Sequence, residues 1–191
     1  MKKTFEKIFE EHATAVKCSF VPPQIDVLTE IAREILKAFK GGHKLLFCGN
    51  GGSAADSQHI AAEFIGRFKR ERKSLPALAL TTDTSVLTAL ANDYDYSHVF
   101  RRQVEGLGTK GDILIGISTS GNSKNVLEAV KIAKPNGLRT VGFTGAKGGA
   151  LASAADICFK AQSEKTPHIQ EMHITALHAI SEVVEEVLYG G

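Results

Sequence analysis

The chain carries no strong charge of either sign: 23 Lys and Arg stand against 21 Asp and Glu, a formal net charge of +2 over 191 residues. Such a balance gives no field that would draw a nucleic acid, so polyanion binding is not expected. Cysteine is scarce. Cys18, Cys48 and Cys158 are odd in number, far apart and set in apolar contexts, and they read as reduced core thiols rather than a disulfide framework. No apolar run approaches the roughly 20 residues needed to cross a bilayer. The opening Met1-Lys2-Lys3-Thr4-Phe5-Glu6-Lys7 alternates charge with apolar residues where a signal peptide would open its apolar core. Low-complexity tracts and dividing linkers are absent too. The expectation is one soluble, cytoplasmic domain over residues 1–191, with a core large enough to stand without metal or disulfide staples and no membrane partner.

What is present is an alternation of short β-like runs with helical periodicity. Residues 1–41 read as two helices, one to about Ser19 and one after Pro22-Pro23 that carries Ile25, Leu28, Ile31, Ile35, Leu36 and Phe39 until Gly41-Gly42 stops it. Residues 42–191 read as an α/β core. Apolar runs at 44–48, 77–80, 112–117, 140–143 and 156–159 predict a five-stranded, mainly parallel sheet with helices on both faces. The last helix repeats Ile169, Met172, Ala176, Leu177, Ile180, Val183, Val184, Val187 and Leu188 at steps of three and four. With the N-terminal pair it offers more apolar face than one such sheet needs, which predicts burial between subunits.

Two loops carry the chemistry. The stretch Ile113-Leu-Ile-Gly-Ile-Ser118-Thr-Ser-Gly-Asn-Ser123 runs from a buried strand into hydroxyls and glycine and then into an amphipathic helix. An anion there meets free N–H groups at the positive end of a helix dipole, with Ser118, Thr119, Ser120 and Ser123 as hydroxyl donors. Gly121 supplies the unusual dihedrals that aim successive amides at one point. There is no acidic metal loop and no Gly-Lys-Ser/Thr, so the phosphate is held rather than transferred, and the ligand is read as a phosphorylated metabolite. A second loop, Cys48-Gly49-Asn50-Gly51-Gly52-Ser53, follows the first strand. By itself it is a tight turn; paired with the serine loop it points to the ligand edge of an open α/β sheet.

Beyond that loop, His59 and Glu63 are four residues apart on one helix face, with Cβ atoms roughly 5–6 Å from each other. In isolation such a pair is an ordinary surface hydrogen bond, but here it begins about two turns past Ser53 and can share a proton, a substrate or a metal. The last helix adds Gln170, His173 and His178. Gln170 and His178 are separated by about 12 Å of helical rise, so reaching one point requires their side chains to lean together or the first turn to deviate. A single zinc held by His59, Glu63, Gln170 and His178 is chemically conceivable; His178 also fits a histidine bonded within a subunit contact, and His173 has the weaker claim to function. Asn92-Asp93, after a helix expected over 85–91, reads either as a partner for sugar hydroxyls or as a helix cap. Arg67 either neutralises phosphate or is solvated, and Lys69-Arg70-Glu71-Arg72-Lys73 reads as a solvated turn.

At these residues the chain resembles sugar isomerase (SIS) domains and, more closely, the phosphoheptose isomerase family, over essentially its whole length. The resemblance rests on CGNGGSAADSQHIAAEF at 48–64, AND at 91–93, GISTSGNS at 116–123, GFTG at 142–145 and IQEMHI at 169–174. The serine loop marks only the broad domain; Glu63, Gln170 and His178 narrow it to the heptose enzymes. The resemblance implies a flavodoxin-like three-layer sandwich and a homotetramer with active sites at subunit contacts. It implies one zinc per subunit on His59, Glu63, Gln170 and His178, and phosphate held by Ser118, Thr119, Ser120 and Ser123. Further substrate contacts are implied at Asn50, Gly51, Gly52, Ser53, Glu63, Asn92, Asp93 and Gln170. His168 departs from the pattern, standing where relatives commonly carry Arg.

The implied activity is conversion of D-sedoheptulose 7-phosphate to D-glycero-D-manno-heptose 7-phosphate, the first step toward nucleotide-activated heptose. Glu63 would take the carbon-bound proton and His178 would exchange protons with the two oxygens. Two alternatives stand beside it: a non-catalytic SIS tetramer that binds a partner such as a replication initiator, and an isomerase of another sugar phosphate. Relatives of the first kind lack the C-terminal histidine that this sequence keeps as His178.

Overall fold

The computed structural model describes residues 1–190. Helix α1 (Lys2–Ser19) and helix α2 (Pro22–Lys40) come first. Pro22 and Pro23 open α2 where a missing N–H costs nothing, and Gly41 and Gly42 close it, Gly42 at a φ of 77°. The remaining elements are β1 (Leu45–Gly49), α3 (Gly52–Ile65), β2 (Ala77–Ala79), α4 (Thr84–Asp93), a 3-10 turn at Tyr96–His98, α5 (Arg101–Leu107), β3 (Ile113–Ile117), α6 (Lys124–Ala133), β4 (Arg139–Gly145), α7 (Gly149–Ala154), β5 (Ile157–Ala161) and α8 (Thr166–Tyr189).

All five strands are parallel, in the order β2-β1-β3-β4-β5. β1 and β3 are buried at every position, which explains their unbroken apolar runs: each face of the sheet is covered by helices. Alternate residues divide between two cores. Leu45 and Phe47 join Ile31, Ile35, Phe64, Phe143, Phe159, Met172 and Leu177 on the side of α1, α2, α3 and α8. Leu46 and Cys48 join Leu80, Phe100, Val104, Val126 and Leu151 on the other side.

Several expectations change in detail. The sheet is wholly parallel rather than mainly so. Cys48 is buried and its thiol is pushed up to about 12 by burial, but Cys18 is exposed, because α1 buries only Ala15 and Ser19. Asn92 and Asp93 do not follow α4; they are its last two residues, and the N-cap is Asp83, which accepts from Val86 N. The segment 69–73 is not a free solvated turn. Arg72 and Glu185 form an ion pair at 2.9 Å with side chains only 1% and 3% exposed. Mixed charge in sequence does not reveal that one cation of the run turns inward.

Candidate functional site

In this strand order the chain leaves β1 toward β2 on one side and β3 toward β4 on the other, so the loops after β1 and β3 part and open a crevice at their C-terminal ends. Both expected loops flank that crevice. Gly51 takes a φ of 55° and Gly121 one of 67°. A Cβ on Gly121 would meet the Gly148 carbonyl, so glycine is required there for close approach as well as for conformation.

The serine loop is braced from within. Ser118 Oγ and Ser123 Oγ are hydrogen-bonded at 2.9 Å, Asn122 N donates to Ser120 Oγ at 3.1 Å, and Gly121 N donates to Ser118 O. From the next loop, Ala150 N donates to Asn122 Oδ1. Thr119 and Ser120 line a cavity of about 370 Å³ with Asn122, Lys147 and Thr166. The N-terminus of α6 lies at the end of the loop, where a helix presents free N–H groups to an anion.

Asn50 is tied across the crevice to Asn125 by reciprocal amide bonds of 2.9 and 2.8 Å, which couple the glycine loop to the first turn of α6. Asn125 escaped the sequence reading, although its place two residues after Ser123 was a signal. Ser53 lies beneath the loop and is buried. Gln170, in the first helical turns of α8, packs on Gly52 so closely that a Cβ there would approach its Nε2 to 2.5 Å.

His59, Glu63 and His178 meet. The Nε2 atoms of His59 and His178 are 2.9 Å apart, and His59 Nε2 is 3.5 Å from Glu63 Oε1. The three donor atoms lie within 4.8 Å of one another and form a group able to hold a metal ion. Two Nε2 atoms at hydrogen-bond distance can share only one proton, so the pair already suits a proton or a cation between them. Burial, helped by the neighbouring His59, holds the His178 pKa below the ordinary histidine range, and Glu63 opposes this. Phe68 stacks on His178 at a centroid distance of 5.7 Å. One turn before His59, burial pushes the Asp56 carboxyl up to about 6 against the opposing effect of His59, and its Oδ2 is buried without a hydrogen-bond partner among the described residues.

Other candidates fall elsewhere. Asn92 Nδ2 donates to Asp93 Oδ1 at 2.9 Å on the exposed end of α4, and among the described residues no hydrogen bond joins either to the loops. Arg67 is exposed and faces Glu71. His173 is fully buried, donates to the Thr144 carbonyl at 3.0 Å and lies edge-on to Phe143, so its role is packing. His168 is buried between α1 and α8.

Residues 8–145 match the model of the SIS domain family. The chain is 54% identical over 179 residues to the phosphoheptose isomerase of Roseiflexus sp., covering 94% of this chain and 91% of that one. It is 52% identical over 188 residues to the phosphoheptose isomerase of Aquifex aeolicus, covering 98% of each. Among solved structures, the phosphoheptose isomerase of Neisseria gonorrhoeae superposes with a TM-score of 0.92 at 40% identity, covering 97% of this chain and 98% of that one. The fold agrees with that solved structure, and the chain belongs to the phosphoheptose isomerase family of SIS-domain enzymes.

Proposed function

We propose that the chain interconverts D-sedoheptulose 7-phosphate and D-glycero-D-manno-heptose 7-phosphate, the first step toward nucleotide-activated heptose. The observation that carries this reading is the convergence of Glu63 and His178, from helices far apart in sequence, on one point. Aldose-ketose isomerisation moves one proton between adjacent carbons and one between their oxygens, and two such groups suffice. Glu63 removes the carbon-bound proton to give a cis-enediol and returns it to the neighbouring carbon. His178, kept neutral by its surroundings, passes a proton between the two oxygens. The serine loop holds the phosphate, and Asn50, Gly51, Gly52, Ser53 and Gln170 contact the sugar.

The donor set of His59, Glu63 and His178, with Gln170 from the same helix as His178, suits one zinc per subunit, and zinc there would polarise the substrate carbonyl. A carboxylate held tightly by a metal has its lone pair occupied, so this reading requires a loosely held ion that leaves Glu63 free to accept a proton. The reading also takes residues 1–191 as one unit in a cytoplasmic homotetramer with its sites at subunit contacts. Support comes from exposed Phe5, Ile8 and Phe9 on α1 and from an apolar groove of about 460 Å³ where Ile25 and Leu36 of α2 face Val183 and Val187 of α8. No described helix is long and apolar enough to cross a membrane.

Incubating the purified chain with sedoheptulose 7-phosphate, with zinc supplied or chelated, tests the activity; aldose heptose phosphate is the expected product. No product with zinc supplied favours a partner-binding role, and faster turnover of a five- or six-carbon ketose phosphate reassigns the substrate. Sedimentation velocity tests the assembly: a four-chain particle is expected, and a smaller one for Val183→Glu.

A further inference from the structure

A second cluster of metal-ligating side chains lies apart from the three donors above, at the junction of α1 and α8. His12 projects from α1, while His168 and Glu171, three residues apart, share one face of the first turns of α8. His12 Nδ1 is 2.6 Å from Glu171 Oε2, and His168 Nδ1 is 3.3 Å from the same oxygen. The three donor atoms all lie within 4.8 Å of one another. We propose that His12, His168 and Glu171 form a second site for a zinc-like divalent ion, one that staples helix α1 to helix α8.

The donor chemistry and spacing fit. With metal–ligand lengths near 2.0–2.1 Å, neighbouring ligands of a tetrahedral zinc lie about 3.3 Å apart. The His168–Glu171 pair already has that separation, and only His12 must draw back, on a side chain that is 36% exposed. The far nitrogen of His168, Nε2, faces Glu11 Oε2 at 4.0 Å. A carboxylate behind a ligating imidazole keeps the proton on the outer nitrogen and the lone pair toward the metal. Lys165 in turn pairs with Glu11 at 2.5 Å and holds that carboxylate in place. The His168 side chain is 8% exposed while Glu171 is 49% exposed, so the site has a fixed inner ligand and an open side for entry and for water as fourth ligand.

The fold gives such an ion a purpose. α1 buries only Ala15 and Ser19 among its 18 residues, and residues 1–10 are exposed throughout. Three bonds from an ion to both helices would fix a segment that apolar packing holds weakly within one chain.

Zinc per chain, measured by elemental analysis after chelation and reloading, tests the site together with four proteins. Wild type should hold two ions, His12→Ala one, His178→Gln one, and the double variant none. Turnover of His12→Ala should equal wild type, and zinc should slow hydrogen exchange over residues 3–12 in wild type but not in this variant. If His178→Gln holds as much as wild type while His12→Ala loses one ion, the junction site stands and only zinc at the catalytic cluster falls. Glu171→Gln, which keeps the size of the side chain, should weaken zinc binding to the His178→Gln protein at least tenfold. The proposal is overturned if His12→Ala and Glu171→Gln, folded by circular dichroism, each keep the wild-type zinc content.

Discussion

The guanidinium of Arg72 donates through Nη2 to the main-chain carbonyl of Glu63 at 2.8 Å. Its Nε pairs with Glu185 of α8 at 2.9 Å, and Nη1 donates to the Phe64 carbonyl at 2.8 Å. Glu185 also accepts from the backbone N–H groups of Phe68, Lys69 and Arg70. Burial alone would raise the Glu185 pKa, but these donors and Arg72 outweigh it and hold it below the ordinary carboxylate range. Thus one buried pair fastens the end of the helix carrying Glu63 to the helix carrying His178.

Removing one partner of that pair strands the other charge in the interior, at a cost of about 3–5 kcal/mol. Arg72→Met and Glu185→Gln should each lower the denaturant midpoint accordingly, and Arg72→Met should also lower kcat by releasing the backbone at Glu63. A midpoint unchanged within error would contradict the buried geometry.

Glu63→Gln and His178→Gln should each reduce kcat by roughly 10²–10⁴-fold, the usual worth of a positioned acid or base. Inorganic phosphate should bind both variants as it binds wild type, since the serine loop is untouched. Because the His178 pKa lies below the ordinary range, the acid limb of the rate profile should fall at lower pH than an unperturbed histidine would give. Near-normal turnover in either variant removes that residue from the mechanism.

Gly52→Ala separates the position of Gln170 from its presence. The added Cβ meets Gln170 Nε2 at 2.5 Å, and the amide must swing away. Misplacement on the order of 1 Å costs roughly 100-fold in turnover, with little change in melting temperature because both groups are at the surface of the crevice. Full activity in this variant would show that Gln170 does not act from its present place.

His173 gives stability a pH dependence. Burial lowers its pKa from 6.5 to about 4, against the opposing bond to Thr144. The unfolded chain therefore takes up a proton below about pH 6.5 that the native chain refuses until about pH 4. This contribution is fully present above pH 6.5 and is lost as pH falls toward 4, amounting to about 3 kcal/mol. Unfolding free energies of wild type and His173→Gln should converge across that window; parallel curves would count against the assignment.

Much of the fold was legible because it follows from local periodicity. Apolar runs of four to six residues gave the strands, since a parallel sheet covered on both faces favours them, and Pro22-Pro23 and Gly41-Gly42 bounded α2 by backbone restriction. The serine and glycine loops were legible for the same reason: strand, turn and helix are contiguous. Long-range polar partners were not. Nothing near Arg72 in sequence announces Glu185, although a glutamate in register with Leu177 and Ser181 on the buried stripe of α8 was a signal that went unread.

The amino-acid sequence alone therefore determines the main elements, the parallel sense of the sheet and the two loops at its edge, because hydrophobic period and turn chemistry act over a few residues. Tertiary structure alone decides that His59, Glu63 and His178 share one point, that Asn50 grips Asn125, and that His12 reaches His168 and Glu171. Those contacts depend on how distant segments pack over a common core, and they join residues from 75 to 159 positions apart, which no local pattern encodes.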